Sequence, residues 1–128
     1  MARTFIAETG YRTVIAFVPE QVENLLTGLM TEDDRLLLVS DESGSLTGMI
    51  GFVVYDHPIS GERVGAEAFW WSERPGAGIK LLKAAEQWAR SKGALVLQMI
   101  QPVEADRVGK IYERFGYRPV ELLWQRRT

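Results

Sequence analysis

The sequence predicts an α/β domain: a mixed, mostly antiparallel sheet flanked by helices. Three observations predict it. The first half carries three strand-like runs joined by short turns, which makes them antiparallel neighbours. The pattern then switches to helical periodicity and on to an almost continuously apolar run, Ala94 to Ile100. Strand, helix and strand in that order imply a parallel crossover.

Taken in order, residues 1–18 are ambiguous. Arg3 to Ala7 reads as a helix end or as a short strand, and Tyr11 to Val18, with its Thr, Val, Ile and Phe, suits an extended segment. Pro19 fits the first position of a helix whose face is Val22, Leu25, Leu26 and Leu29, at i, i+3, i+4, i+7. Leu36 to Val39 is a short apolar strand, Asp41 to Ser45 a tight turn, and Thr47 to Tyr55 the return strand of a hairpin. A second turn at Pro58 to Gly61 leads to a third strand, Glu62 to Trp71.

Gly76 to Ser91 is a helix with Ile79, Leu82, Ala85 and Ala89 inward, Lys80, Lys83, Gln87 and Arg90 outward, and Glu86 and Arg90 as an i,i+4 pair. Gly93 stops it. Ala94 to Ile100 is expected to be a strand covered on both faces. Pro102 introduces a helix from about Glu104, with Val108, Ile111 and Phe115 inward and Gly116 at its end, and Tyr117 to Gln125 is expected as a last strand.

Composition sets the bounds. The 128 residues suit one domain, 1–128, and 46% hydrophobic with 25% charged residues is globular. A net charge of −2 argues against a nucleic-acid partner. The basic tail Gln125-Arg126-Arg127 reads as a solvated terminus. With no cysteine and a single histidine, His57, thiolate chemistry is excluded and no metal site is expected. His57 reads as an exposed turn residue. No apolar run spans a membrane and no leader pattern is present, so the expected compartment is the cytoplasm.

Two segments could carry chemistry. Ser72 to Ile79 joins a strand to a helix N-terminus, where Gly76 and Gly78 let a ligand approach and unpaired first-turn amides favour an anion. A plain turn needing two glycines for sterics fits as well. Leu81 stands where a dinucleotide fingerprint needs its third glycine, and no NTP-binding P-loop is present. The second segment is Ile111-Tyr112-Glu113-Arg114-Phe115-Gly116-Tyr117. Gly109, one turn before Tyr112, costs about 1 kcal/mol against alanine in a helix. A ligand lying across that face, or a close helix crossing, would explain it.

In this order and spacing, Gly76-Ala77-Gly78-Ile79-Lys80-Leu81-Leu82-Lys83-Ala84-Ala85-Glu86, the run Ala89 to Gly93, the apolar strand and the Tyr112 segment resemble the GNAT N-acetyltransferases, over roughly residues 20–125. The aromatic strand Ala68-Phe69-Trp70-Trp71 is most similar to phage and prophage members. The resemblance implies acetyl-CoA as cosubstrate. Its pyrophosphate would lie on amides around Gly76, Ala77, Gly78 and Ile79, beside Arg74. Its pantetheine arm would lie between the strand ending at Trp71 and the strand starting at Ala94. Tyr112 would protonate the departing thiolate, with Gly109 leaving room beside it. Glu67 would deprotonate the amine, and a backbone amide near Phe69, Trp70 or Trp71 would hold the oxyanion.

The family pattern differs here at Glu73, where Gln or Arg is usual, at Ala105, where asparagine is frequent, in a shorter loop after Trp71, and in an N-terminus that reads as short. The expected acceptor is a small-molecule or protein primary amine, with a cationic one favoured by the acidic surface. Pairing of two copies through the first-strand edge is expected. The rival expectation is a GNAT-like domain without catalysis that binds CoA or acts through protein contacts.

Overall fold

A computed structural model describes residues 15–128. The expectations for Arg3 to Ala7, and the first part of that for Tyr11 to Val18, lie outside the described residues. The elements are α1 (Pro19–Thr31), β1 (Arg35–Glu42), β2 (Ser45–Asp56), β3 (Arg63–Ser72), α2 (Pro75–Ser91), β4 (Val96–Gln98) and α3 (Asp106–Arg114). The strands form one sheet in the order β1-β2-β3-β4, with the first two pairings antiparallel and the last parallel. The mixed sheet and its parallel crossover therefore stand as the residue pattern implied.

Local chemistry sets the joints. The β1–β2 hairpin turns on Ser43 and Gly44, both at positive φ (53° and 83°), the geometry of a two-residue turn that follows strand twist. The ends of α2 and α3 carry glycines at φ 88° (Gly93) and 87° (Gly116). At each, two backwards amide bonds close the helix: Ala94 to the Ala89 carbonyl and Gly93 to Arg90, then Tyr117 to Tyr112 and Gly116 to Glu113.

The sheet is buried on both faces. On one, Leu29 of α1 packs with Met49 and Phe69, flanked by Leu26, Leu37, Val53 and Ala68. On the other, Ile50, Phe52 and Val54 pack against Leu81, Leu82, Ala85 and Ala89 of α2, with Ile111 and Phe115 beside them. The expected inner face of α1 is narrower than its periodicity suggests, because Leu25 is 41% exposed. Among the described residues no helix is long and apolar enough to cross a membrane.

Gly65 fixes how closely α2 lies on β3. A Cβ there would stand 2.6 Å from the Ala89 Cβ and 3.1 Å from Leu97 Cδ2. Gly65→Ala is expected to destabilise the fold by about 1–3 kcal/mol, the usual cost of overpacking. Urea unfolding measures this, and an unchanged midpoint would contradict so tight a contact.

Two expectations are corrected. The run Ala94 to Ile100 forms a strand only over Val96–Gln98 and is not covered on both faces: Leu95 is 75%, Val96 40% and Ile100 43% exposed. Ala94, Leu97 and Met99 do reach the core, so one side of the run is packed. Second, Tyr117 to Gln125 is not a strand; among the described residues no strand follows β4. The reason is visible at Tyr117, whose hydroxyl donates to Glu86 Oε2 at 2.7 Å. The chain is thereby pinned to α2 where it was expected to start pairing. Glu86, read from the sequence as the i,i+4 partner of Arg90, is 6% exposed and serves as that anchor.

Candidate active site

Strict alternation along β3 would put Glu67 and Trp70 on opposite faces. A bulge prevents it. Gly51 pairs with Phe69 and Phe52 with Glu67, so Ala68 is an extra residue that shifts the register. Glu67 therefore lies opposite Phe52 and Trp70 opposite Ile50, both on the face covered by α2 and α3. Phe69 turns to the α1 side and is 6% exposed in that core. Trp71, opposite Met49, follows Phe69 to the α1 side, so Trp70 and Trp71 point to opposite faces as the alternation implied.

The bulge coincides with a gap in the sheet. β3 and β4 pair only at Val64–Val96, Gly65–Leu97 and Ala66–Gln98. Beyond that, β3 runs on to Ser72 while β4 has ended. The first atoms across the gap are side chain to backbone: Glu67 Oε2 accepts the Ile100 amide at 2.9 Å.

Tyr112 completes the cluster from α3. Its hydroxyl lies 2.7 Å from the Ile100 carbonyl and 3.2 Å from Glu67 Oε2, and its single proton can be donated to either. One residue, Ile100, thus binds the carboxylate through its amide and the phenol through its carbonyl. Trp70 stacks on Tyr112 with ring centroids 5.8 Å apart, and the tilted Tyr117 ring lies 5.6 Å from that of Tyr112. The Trp70 indole donates to the Gly78 carbonyl at 3.0 Å, so the same tryptophan ties the cluster to α2. A small cavity of about 50 Å³ opens here, lined by Glu67, Ala68, Trp70, Ile100, Val108 and Tyr112.

This setting tunes both acids. Burial raises the Glu67 carboxyl to about 7, against the lowering effect of its bonds from Ile100 and Tyr112. Burial also raises the Tyr112 phenol far above its ordinary value, reinforced by the charge and hydrogen bond of Glu67. At neutral pH Glu67 can take or release a proton, while Tyr112 holds its own.

At the head of α2, Pro75 occupies the first turn and no side chain caps the end. The Gly78 amide bonds the Arg74 carbonyl at 3.0 Å, so the first-turn amides left without a helical partner are those of Gly76 and Ala77. A Cβ on Gly76 would meet nothing within 4 Å. The approach to these amides is open. Gly78 is needed for packing instead: a Cβ there would stand 3.1 Å from the Ser72 Cβ and 3.5 Å from Trp70. Ile79 is half-buried. Arg74 pairs with Glu42 Oε2 at 2.7 Å, and both line the groove beside the helix head. An open groove of about 720 Å³ runs from Gly76 and Ala77 along Lys80, between α2 and the β1–β2 hairpin; neither Glu67 nor Tyr112 lines it.

Gly109 has a different reason from those weighed in the sequence. The notch beside it is filled by the Gln101 side chain, whose atoms would lie 2.6–2.9 Å from a Cβ. Gln101 also donates to the Ala105 carbonyl at 3.2 Å, which braces the turn that presents Ile100. Its neighbour is thus a side chain of the same chain. His57 is half-buried, with Nδ1 accepting the Ile59 amide at 3.1 Å, a turn bond remote from the cluster. Sequence reasoning missed Ile100, Gln101 and the bulge at Ala68. Ile100 acts through backbone groups that any residue carries, so no residue type could have marked it. Gln101 beside Pro102, eight positions before Gly109, was the one available signal.

Comparison with known proteins agrees with this architecture. No curated protein matches the chain. Among solved structures, a transcriptional regulator from Bacillus halodurans C-125 superposes with a TM-score of 0.82 at 13% identity, over 100% of this chain and 91% of that one. The aminoglycoside acetyltransferase AAC(6')-Iy, in complex with the bisubstrate analogue CoA-S-monomethyl-acetylneamine, gives 0.74 at 13% identity over 88% and 82%. The aminoglycoside 6'-N-acetyltransferase AAC(6')-IG from Acinetobacter haemolyticus gives 0.70 at 14% identity over 91% and 86%. At these identities the likeness is one of fold. The sequence pattern of the acetyltransferase (GNAT) family, however, matches residues 6–117 directly. The chain belongs to the GNAT family of acetyltransferases.

Proposed function

We propose that this protein transfers an acetyl group from acetyl-CoA to a primary amine by direct attack on the thioester. The observation that carries the proposal is the Glu67–Ile100–Tyr112 cluster at the gap between β3 and β4: a carboxyl raised to about 7 beside a phenol that retains its proton. Glu67 accepts a proton from the incoming ammonium, leaving a lone pair on nitrogen. Tyr112 exchanges its bond to the Ile100 carbonyl for the sulfur and protonates it as the carbon–sulfur bond breaks. Two protons leave the nitrogen: one restores Tyr112, the other reaches solvent through Glu67. A backbone amide near Phe69 to Trp71 would support the carbonyl oxygen.

The head of α2 fits an anion. The Gly76 and Ala77 amides are without helical partners, Gly76 is unobstructed, and Lys80 lines the adjoining groove. These residues would hold the pyrophosphate of the cosubstrate, and the bound thioester would supply the acetyl group. Nothing else in the reaction calls for a resident cofactor or metal.

One observation favours the rival reading, a CoA-binding or protein-contact domain without turnover: Arg74 is paired with Glu42, and Glu73 adds a carboxylate beside the α2 terminus. The test is thiol release from acetyl-CoA in the presence of small polyamines, aminoglycosides and lysine peptides. Amine-dependent release by the native protein is the expected result. No release with any amine class, from a protein that binds acetyl-CoA, would favour the rival.

A further inference from the structure

In the proposed reaction the Tyr112 hydroxyl exchanges the Ile100 carbonyl for the sulfur, and its own 2.7 Å tether is then gone. Glu67, 3.2 Å away, is by that point engaged with the proton of the amine. The direction of the phenol must therefore be held by what surrounds its ring. A tyrosine side chain turns about two single bonds, and a small misplacement of a reacting group costs rate.

Two rings bear on Tyr112, and each is tied to α2. Trp70 stacks on it, with centroids 5.8 Å apart and planes at 29°, and its indole donates to the Gly78 carbonyl at 3.0 Å. Tyr117 meets it at 5.6 Å with planes at 51°, and its hydroxyl donates to Glu86 Oε2 at 2.7 Å. The Tyr117 amide also bonds the Tyr112 carbonyl at 3.0 Å. Gly78 and Glu86 are eight positions apart, roughly 12 Å along the axis of α2. The two rings thus reach one helix at well-separated points and at different inclinations.

Glu86 gives the second tie its significance. It is 6% exposed, where a carboxyl is costly unless hydrogen-bonded, and the proposed chemistry makes no use of it. An apolar residue would carry no such cost at this inward position. Burial, reinforced by the bond to Glu86, holds the Tyr117 phenol far above its ordinary value, so it stays a donor. The single polar atom of the Trp70 side chain is likewise committed to α2.

We infer that Trp70 and Tyr117, anchored on α2 at Gly78 and Glu86, are positioning residues that keep the Tyr112 phenol aimed across the β3–β4 gap when it lets go of Ile100. The inference rests on the transferase reading of Tyr112. It ties the general acid to the helix whose head offers the Gly76 and Ala77 amides, so that one rigid element sets both.

The test is steady-state thiol release from acetyl-CoA, using whichever of the polyamine, aminoglycoside and lysine-peptide probes gives the highest native rate. Trp70→Phe and Tyr117→Phe each keep a ring and the backbone amide and remove one hydrogen-bond donor. Each should lower kcat about fivefold to a hundredfold with the KM for acetyl-CoA little changed. In a Tyr112→Phe background the same substitutions should lower kcat by no more than about twofold, because they act through a hydroxyl already removed. Tyr117→Phe leaves the buried Glu86 without that donor and should lose stability. Adding Glu86→Leu makes both partners apolar and should restore the urea midpoint but not kcat. Unchanged kcat in either single variant, equal losses with and without the Tyr112 hydroxyl, or a rate that returns together with stability would each overturn the inference and leave the transferase reading standing. Absence of native turnover with every probe would sink both.

Discussion

Tyr112→Phe should lower kcat for acetyl transfer by about a hundredfold to ten-thousandfold while the KM for acetyl-CoA changes little. The range is that of removing one general acid. The ring supplies the packing: it lies 5.8 Å from Trp70 and 5.6 Å from Tyr117, and Phe keeps those contacts. Only the hydroxyl is lost. It donates to the Ile100 carbonyl at 2.7 Å, so about 1 kcal/mol of stability goes with it. Circular dichroism and thermal unfolding should therefore show a folded protein. Steady-state thiol release separates the two effects. A kcat within twofold of the native value would remove Tyr112 from the chemistry. An equal loss in kcat and in cosubstrate binding would assign it to positioning.

Glu67→Gln should cost about a hundredfold to ten-thousandfold in rate at pH 7 and change the shape of the pH profile. With its carboxyl raised by burial to about 7, native activity should rise with pH through that value as Glu67 ionises. The glutamine variant should lack that limb and recover part of its rate at high pH, where free amine is more abundant. Stability supplies a second readout with its own sign. The folded value lies above the ordinary 4.5, so between those limits the folded state binds the proton more tightly than the unfolded chain does. That contribution is complete below pH 4.5 and is lost as pH rises through about 7. Relative to Glu67→Gln, the native protein should lose up to about 3 kcal/mol between these pH values, less where solvent reaches the carboxyl. Urea unfolding at pH 5 and pH 8 measures it. Parallel stability curves for the two proteins would mean that the carboxyl is not strained by burial.

The fold was legible wherever periodicity and turn chemistry spoke together. The hairpin at Ser43-Gly44, the stops at Gly93 and Gly116 and the burial of Leu82, Ala85 and Ala89 on α2 all follow from local rules. The candidate site was legible in its side chains: Glu67 and Tyr112 were singled out from the sequence, and they lie 3.2 Å apart. What brings them together was not legible. The bulge at Ala68 is a register event with no residue type of its own, yet it sets Glu67 and Trp70 on one face. The backbone of Ile100 is equally silent in sequence. Gly109 was noticed for its cost in a helix, but only the structure shows Gln101 beside it. The last strand failed for the opposite reason. Tyr117 to Gln125 has strand composition, but Tyr117 is held by a buried carboxylate on α2, a tertiary bond that local propensity cannot anticipate.

Calorimetric titration with acetyl-CoA, checked by thermal unfolding, asks most directly whether the Gly76–Ala77 amides and the gap between β3 and β4 take the cosubstrate. Micromolar binding is expected, and ligand at about 100 times its dissociation constant should stabilise the fold by roughly 2.7 kcal/mol. No heat and no thermal shift at millimolar acetyl-CoA would contradict an acetyl-CoA site in this fold.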